Sequence, residues 1–269
     1  DCCECTFLSI HPRLKYLASL AHGYGGCDRD AAEKHHITMT NTVYGDVTIA
    51  QFAMALLLDI CHNVRLQDEY YKKCMDRHEI IGFGGGLRVQ SRQIELFEKT
   101  MGIIGLGSIG LWTARMAAGF GMKVISFSRH KKTGPEYDFI EQVGLEELFL
   151  RSDVISIHCP LTDESYHMMY RAAIEKIKDG LILIDTARGA VIDEEALIGA
   201  LDSGKIYAAG LDVVDNEPLK ERCALMNCSN AVITPHIAWA PEEARYRTVR
   251  VAAENLKNWI HGMPTSVIA

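Results

Sequence analysis

The chain has 269 residues, 48% hydrophobic and 23% charged, a balance that supports a packed core and excludes a disordered polar segment. A net charge of -7 without a basic stripe argues against a nucleic-acid surface. No apolar run approaches the ~20 residues of a membrane helix; the longest candidate, residues 52–60, is already broken by Asp59. The N-terminus shows no basic segment leading into an apolar core, so no signal peptide is expected and a soluble, cytoplasmic protein is. Nine cysteines lie at irregular spacings with no pair of CxxC knuckles, which fits free thiols in a reducing compartment better than a disulfide framework or a zinc site. No metal is expected.

In chain order, the pattern predicts a strand over 14–20, a loop with Gly23, Gly25 and Gly26, a helix opening at Asp28, and a strand over 37–40. A long apolar-periodic helix runs from about 47 through 60 and continues in polar form toward Lys73. The run from Gly82 to Gly86 reads as a loop. It lacks the Gly-Lys-Ser/Thr ending and the strand–helix frame of a P-loop, so it is given no phosphate role. Beyond Lys99, strands over 100–105, 123–127, 154–158, 181–185, 208–213 and 231–234 alternate with helices over 109–120, 145–150, 171–177 and 194–201. Such alternation predicts an α/β fold, a doubly wound parallel sheet with helices on both faces. A last amphipathic helix covers about 241–261, with Pro241 in its first turn.

The first of these later strands runs into Gly105-Leu106-Gly107-Ser108-Ile109-Gly110 and then a helix. Gly105 permits the tight turn, Gly107 lets backbone approach a pyrophosphate, and Gly110 lets helix and strand pack closely; Ser108 and Ile109 open the helix whose N-terminus faces the phosphate charge. The next strand ends Ser126-Phe127-Ser128-Arg129-His130-Lys131-Lys132, with Ser128 where NAD sites usually place a carboxylate. Ser128 can hydrogen-bond a 2′-phosphate and Arg129 can grip it as a planar fork, so NADP(H) is expected, with NAD the alternative. A solvated basic loop is the other reading of the same residues.

Polar motifs close three further strands: Asp185-Thr186-Ala187-Arg188-Gly189, the run from Gly210 to Pro218, and Thr234-Pro235-His236-Ile237-Ala238-Trp239. With GLGSIG and HCPLT, they occur in the order and spacing of the D-isomer-specific 2-hydroxyacid dehydrogenase family, which the chain resembles from about Leu14 to its end. The last motif, with Trp239, is most similar to the glycerate dehydrogenase and hydroxypyruvate/glyoxylate reductase branch.

The resemblance implies a Rossmann-type domain over 47–237, and a smaller flavodoxin-like substrate lobe built from 1–46 and a helix returning over 238–269. Residues before Leu14 match no part of the family pattern, so that lobe is expected to be N-terminally shortened. The implied catalytic residues are His236 as acid/base, Glu217 as its carboxylate partner, and Arg188 polarising the carbonyl and binding the substrate carboxylate. Arg188 and His236 thus also count as substrate contacts, beside the Leu20, Ala21 and His22 turn. Asp212 matches a contact to the nicotinamide carboxamide, while Cys159, Pro160, Thr162, Thr186 and Ala187 match loops lining the cofactor. The implied reaction is hydride exchange between NADP(H) and a small 2-oxo/2-hydroxy acid pair, hydroxypyruvate/D-glycerate or glyoxylate/glycolate. A homodimer through the nucleotide-binding domain is implied as well, with neither nucleic acid nor membrane as partner. Some relatives, the C-terminal-binding protein co-repressors among them, use this fold as a dinucleotide-sensing interaction module. That is the alternative function.

Overall fold

Short apolar runs separated by helices pair side by side when each strand can bury both faces, and from Thr100 onward the chain does this. In the computed structural model, which describes residues 8, 11–24, 27–82 and 88–269, the elements are β1 (Tyr16–Ala18), α1 (Arg29–Lys34), β2 (Thr38–Thr40), α2 (Asp46–His62), α3 (Val64–Asp76), β3 (Thr100–Ile104), α4 (Ser108–Gly119), β4 (Lys123–Phe127), β5 (Glu141–Gln142), α5 (Leu145–Arg151), β6 (Val154–Ile157), α6 (Arg171–Ile174), β7 (Leu181–Asp185), α7 (Glu194–Asp202), β8 (Ile206–Leu211), β9 (Ala231–Ile233) and α8 (Glu242–Ile260). They form two compact units, Asp1–Thr48 with Trp239–Ala269, and Ile49–Ala238. The expected loop over 83–86, and Gly25 and Gly26, lie outside the described residues.

In the second unit β3 to β9 make one seven-stranded parallel sheet, ordered β5-β4-β3-β6-β7-β8-β9. Successive side chains of a strand point to opposite faces. Accordingly Ile104, Ile155, Ile157 and Leu183 pack in one core, and Met101, Ile103, Val154, Ile182 and Ile184 in another. The strand order reverses between β3 and β6, the position where open α/β sheets bind ligands beyond the carboxyl ends of their strands. Register makes those ends level: Ile104 pairs with Phe127 and Ile157, Ile157 with Asp185, Asp185 with Leu211, and Leu211 with Ile233. The next residue of each chain segment is therefore placed along a single rim.

The first unit is smaller. Its β1 and β2 pair in parallel, Tyr16 opposite Thr38. Asp28 caps α1 by accepting from the Ala31 amide at 2.9 Å. Leu8, Ala31, Ala32, Ile37 and Met39 form its core. The last helix, α8, packs on the pair: Trp259 Nε1 donates to Thr38 Oγ1 at 3.1 Å, and Asn255 donates to the Asn41 carbonyl at 2.9 Å.

Four expectations need correction. The sheet has seven strands rather than six, because β5 is only two residues and leaves no periodic trace. The long helix is two helices: Asn63 sits in the left-handed region at φ 45, and α2 and α3 meet there at a bend of 42°. The strand expected over 14–20 keeps regular pairing only at Tyr16–Ala18, and that over 208–213 is Ile206–Leu211, since Asp212 already turns into a loop. Among the described residues no single helix is long and apolar enough to cross a membrane.

Candidate active site

The rim of the sheet gathers the motif residues of the second unit. After β3, Gly105 takes φ +96, and a Cβ there would lie 2.6 Å from the Cys159 nitrogen. At Gly110 a Cβ would run into the Gly105 carbonyl, so the helix presses on the loop that precedes it. Gly107, the N-cap of α4, has nothing within 4 Å of where a Cβ would be, and no side chain caps the helix. The first amides of α4, from Ser108 and Ile109 onward, thus face open space at the positive end of the helix dipole.

The residues along the rest of the crevice are held by local hydrogen bonds. Ser165 Oγ donates to the Pro160 carbonyl at 2.7 Å and accepts from the Thr162 amide at 2.8 Å. Thr186 Oγ1 is sealed from solvent and has no partner. A buried hydroxyl left unpaired is costly, and a polar group entering the crevice would satisfy it. The open face at Gly107, the uncapped helix and this hydroxyl fit a dinucleotide. Beyond β4, Ser128 Oγ donates to the His130 carbonyl at 2.9 Å, and Arg129 pairs with Glu164 at 3.3 Å.

On the β7–β9 side, Asp212 is fully buried, and its carboxylate accepts the Thr234 hydroxyl at 2.6 Å and the amides of Ile237 and Ala238 at 2.9 and 2.8 Å. This clamps the turn in which His236 adopts φ 55, its own amide donating to the carbonyls of Asp212 and Thr234, each at 2.9 Å. Glu217 accepts from the Val214 amide at 2.9 Å through Oε1 and lies 2.6 Å from His236 Nδ1 through Oε2. The carboxylate is therefore aimed by backbone at one ring nitrogen. Arg188 is exposed, its Nη1 donating to the Ala187 carbonyl at 2.6 Å. Gly189 presses on backbone atoms of Val214 and Asp215, so the loop bearing Arg188 packs on the loop that leads to Glu217. The structure brings Glu217 and His236 into contact and packs the Arg188 loop beside them.

Burial sets the charge of three groups at the rim. It holds His158 neutral down to about 3, with Nδ1 sealed from solvent although part of the residue reaches the surface. It pushes the Cys159 thiol up to about 12, with Asp185 adding to the effect, so Cys159 lines the site as an uncharged group. It raises Asp185 to about 8, against amide hydrogen bonds from Ala187 and Arg188.

Leu20, Ala21 and His22 belong to the first unit. There the Ala21 carbonyl accepts from the Thr42 amide at 3.1 Å, the His22 carbonyl from Asn41 Nδ2 at 2.7 Å, and His22 Nδ1 lies 3.3 Å from Asp46. Sequence reasoning missed Asp185 and Gly189, and the anchoring role of Asp212. The acid ending an otherwise apolar strand was the one visible signal for Asp185; nothing local marked Gly189 as a contact of Val214.

Residues 54–238 match the family model described as D-isomer specific 2-hydroxyacid dehydrogenase, NAD binding domain. The chain is 39% identical over 260 residues to the hydroxypyruvate reductase of Blautia hydrogenotrophica, covering 96% of this chain and 79% of that protein. It is 41% identical over 254 residues to the glyoxylate reductase of Thermococcus litoralis, covering 91% and 73%. Among solved structures it is similar to an acyclic imino acid reductase in complex with NADPH and D-Arg, with TM-score 0.86 and 28% identity over 100% of this chain and 83% of that one. The matched domain, described as NAD binding, contains the glycine loop, and the chain belongs to the D-isomer specific 2-hydroxyacid dehydrogenase family.

Proposed function

We propose that this chain reduces a small 2-oxo acid, hydroxypyruvate or glyoxylate, to the corresponding 2-hydroxy acid, with NADPH preferred over NADH. The observation that carries the reading is the 2.6 Å contact of His236 Nδ1 with Glu217 on the rim where the Arg188 loop also emerges. The names of the two sequence relatives support the substrate class. Ser128 and Arg129 at the end of β4, with no carboxylate on that strand end, support NADPH. By the family resemblance the working form is a homodimer joined through the nucleotide-binding unit.

A bound reduced nicotinamide supplies the hydride. Arg188 presents a planar guanidinium that suits a carboxylate and draws electron density from the neighbouring carbonyl. Glu217 accepts a hydrogen bond from the Nδ1–H of His236, which leaves the Nε2 proton as the one to be donated. His236 gives that proton to the carbonyl oxygen as it becomes a hydroxyl, and reloads from solvent through its half-exposed ring. Asp212 and the amides it holds keep the imidazole in place throughout.

The test follows loss of reduced-nicotinamide absorbance with hydroxypyruvate or glyoxylate, using NADPH and NADH in parallel. Turnover is expected with NADPH favoured. His236→Ala should lose roughly 100-fold or more in kcat while dinucleotide affinity stays within about 3-fold. Retained dinucleotide binding with no turnover on either acid would refute the reductase and favour the interaction module.

A further inference from the structure

We infer that Asp185 is a positioning residue that works as a neutral carboxylic acid, holding the Arg188 loop in place while leaving the guanidinium charge available to an anionic ligand. The second half of this rests on the proposed function.

The strand that carries it is otherwise aliphatic, Leu181-Ile182-Leu183-Ile184, and Asp185 at its end is fully buried. One oxygen, Oδ1, accepts the Ala187 amide at 2.7 Å, one residue before Arg188. The Asp185 carbonyl accepts the Asp212 amide at 2.9 Å, tying the same residue to the segment that clamps His236. The second oxygen, Oδ2, is sealed from solvent and has no partner. An ionised carboxylate needs several donors, and a buried anionic oxygen with none is far costlier than a neutral acid.

The groups around it pull both ways. The Ala187 and Arg188 amides and the Arg188 charge on its own loop favour the ion, whereas Glu217 from the loop after β8 opposes it. His158 and Cys159, which follow β6, are both held neutral. Asp212 on the β8 side is already engaged by Thr234, Ile237 and Ala238. Burial outweighs all of these and raises Asp185 to about 8. As pH rises through that value, a second carboxylate forms beside Arg188 and competes with the substrate's own.

Two measurements on the full chain and on Asp185→Asn, which keeps the shape and the acceptor for Ala187, test this. Infrared difference spectra between about pH 6.5 and 9.5 should show wild type losing the carbonyl stretch of a carboxylic acid, and the variant losing none in that range. In kcat/KM for the 2-oxo acid the two chains should agree within about 3-fold at low pH. Their ratio should then change about tenfold per pH unit above 8, wild type falling faster. His236 must carry its proton in both chains, so the ratio isolates Asp185. An absent acid band, or superimposable pH profiles, overturns the inference. The acid band present in a chain that turns over no 2-oxo acid supports the neutral acid and refutes the reductase reading instead.

Discussion

Two glycines of one loop should fail in different ways when each is given a single methyl group. At Gly105 the new Cβ would stand 2.6 Å from the Cys159 nitrogen, 2.7 Å from the His158 carbonyl carbon and 2.8 Å from the Cys159 Cα, where ordinary contact begins at 3.4 Å. All three are backbone atoms of the loop after β6, so the two loops must part by about 0.8 Å, and overpacking of this kind costs roughly 1–3 kcal/mol. The φ of +96 adds strain of roughly 1–3 kcal/mol for a residue with a side chain. In the proposed dinucleotide site the displaced loop also carries amides that would face the pyrophosphate, and a hydrogen bond to a charged group contributes about 1.5–3 kcal/mol. Gly105→Ala should therefore lower stability by roughly 2–6 kcal/mol and weaken NADPH binding by about 10- to 100-fold. Gly107, by contrast, has φ -82 and nothing within 4 Å. Gly107→Ala should change stability by less than about 1 kcal/mol, yet place a methyl group in the space the pyrophosphate needs and lose comparable affinity. Denaturant unfolding of the free chain and fluorescence titration with NADPH separate the two quantities. Equal stability losses in both variants, or undiminished binding by Gly107→Ala, would refute the reasoning.

Two further outcomes follow from the same rim. Gly189→Ala should cost about 100-fold in kcat/KM, the scale of a misplaced catalytic group, while NADPH affinity holds, because the atoms nearest its Cβ are backbone of Val214 and Asp215; turnover within about 3-fold of wild type would show that the loops part without moving Arg188 or Glu217. His158, lowered by burial from 6.5 to about 3, contributes stability that is present above 6.5 and lost as pH falls toward 3. At pH 5 the loss is at most about 2 kcal/mol. His158→Gln, which can still bond Ser156, should flatten this slope in unfolding measured at pH 5 and 7.5, and parallel slopes in the two chains would refute it.

The fold of the second unit was legible because the central strands are mostly apolar runs closed by a glycine, an acid or a histidine. Val154–Ile157 and Leu181–Asp185 are buried throughout, and a run of that kind leaves little choice but the interior of a parallel sheet. Glu217 and His236 were legible as members of separate motifs. Their 2.6 Å contact is a product of register, since Leu211 and Ile233 end their strands opposite each other. What stayed hidden leaves no periodic signal in the chain. The break at Asn63 lies inside a stretch whose helical pattern runs on either side, and the side chain that marks it, bonding the Ile60 carbonyl at 3.3 Å, is unremarkable in the sequence. β5 has too few residues to carry a period. The burial of Asp185 is set by the strands on either side of it, not by its neighbours in the chain.

Besides the direct contact of Glu217 with His236, the positions of Arg188, Glu217 and His236 are linked through main chain. Asp212 donates its amide to the Asp185 carbonyl, receives the His236 amide on its own carbonyl, and spends its carboxylate on Thr234, Ile237 and Ala238. Glu217 is aimed by the Val214 amide, and Val214 is also where Gly189 meets the backbone. Each of the three side chains is thus tied by backbone contacts to loops that leave the ends of paired strands. Hydrogen bonds to backbone hold atoms to within fractions of an ångström at little entropic cost, because strand ends are already ordered. The side chains themselves reach solvent: Arg188, exposed and donating to its neighbouring carbonyl, and the half-exposed imidazole held by Glu217. That division suits the proposed site, in which the scaffold and the imidazole stay still while the guanidinium meets a small anion.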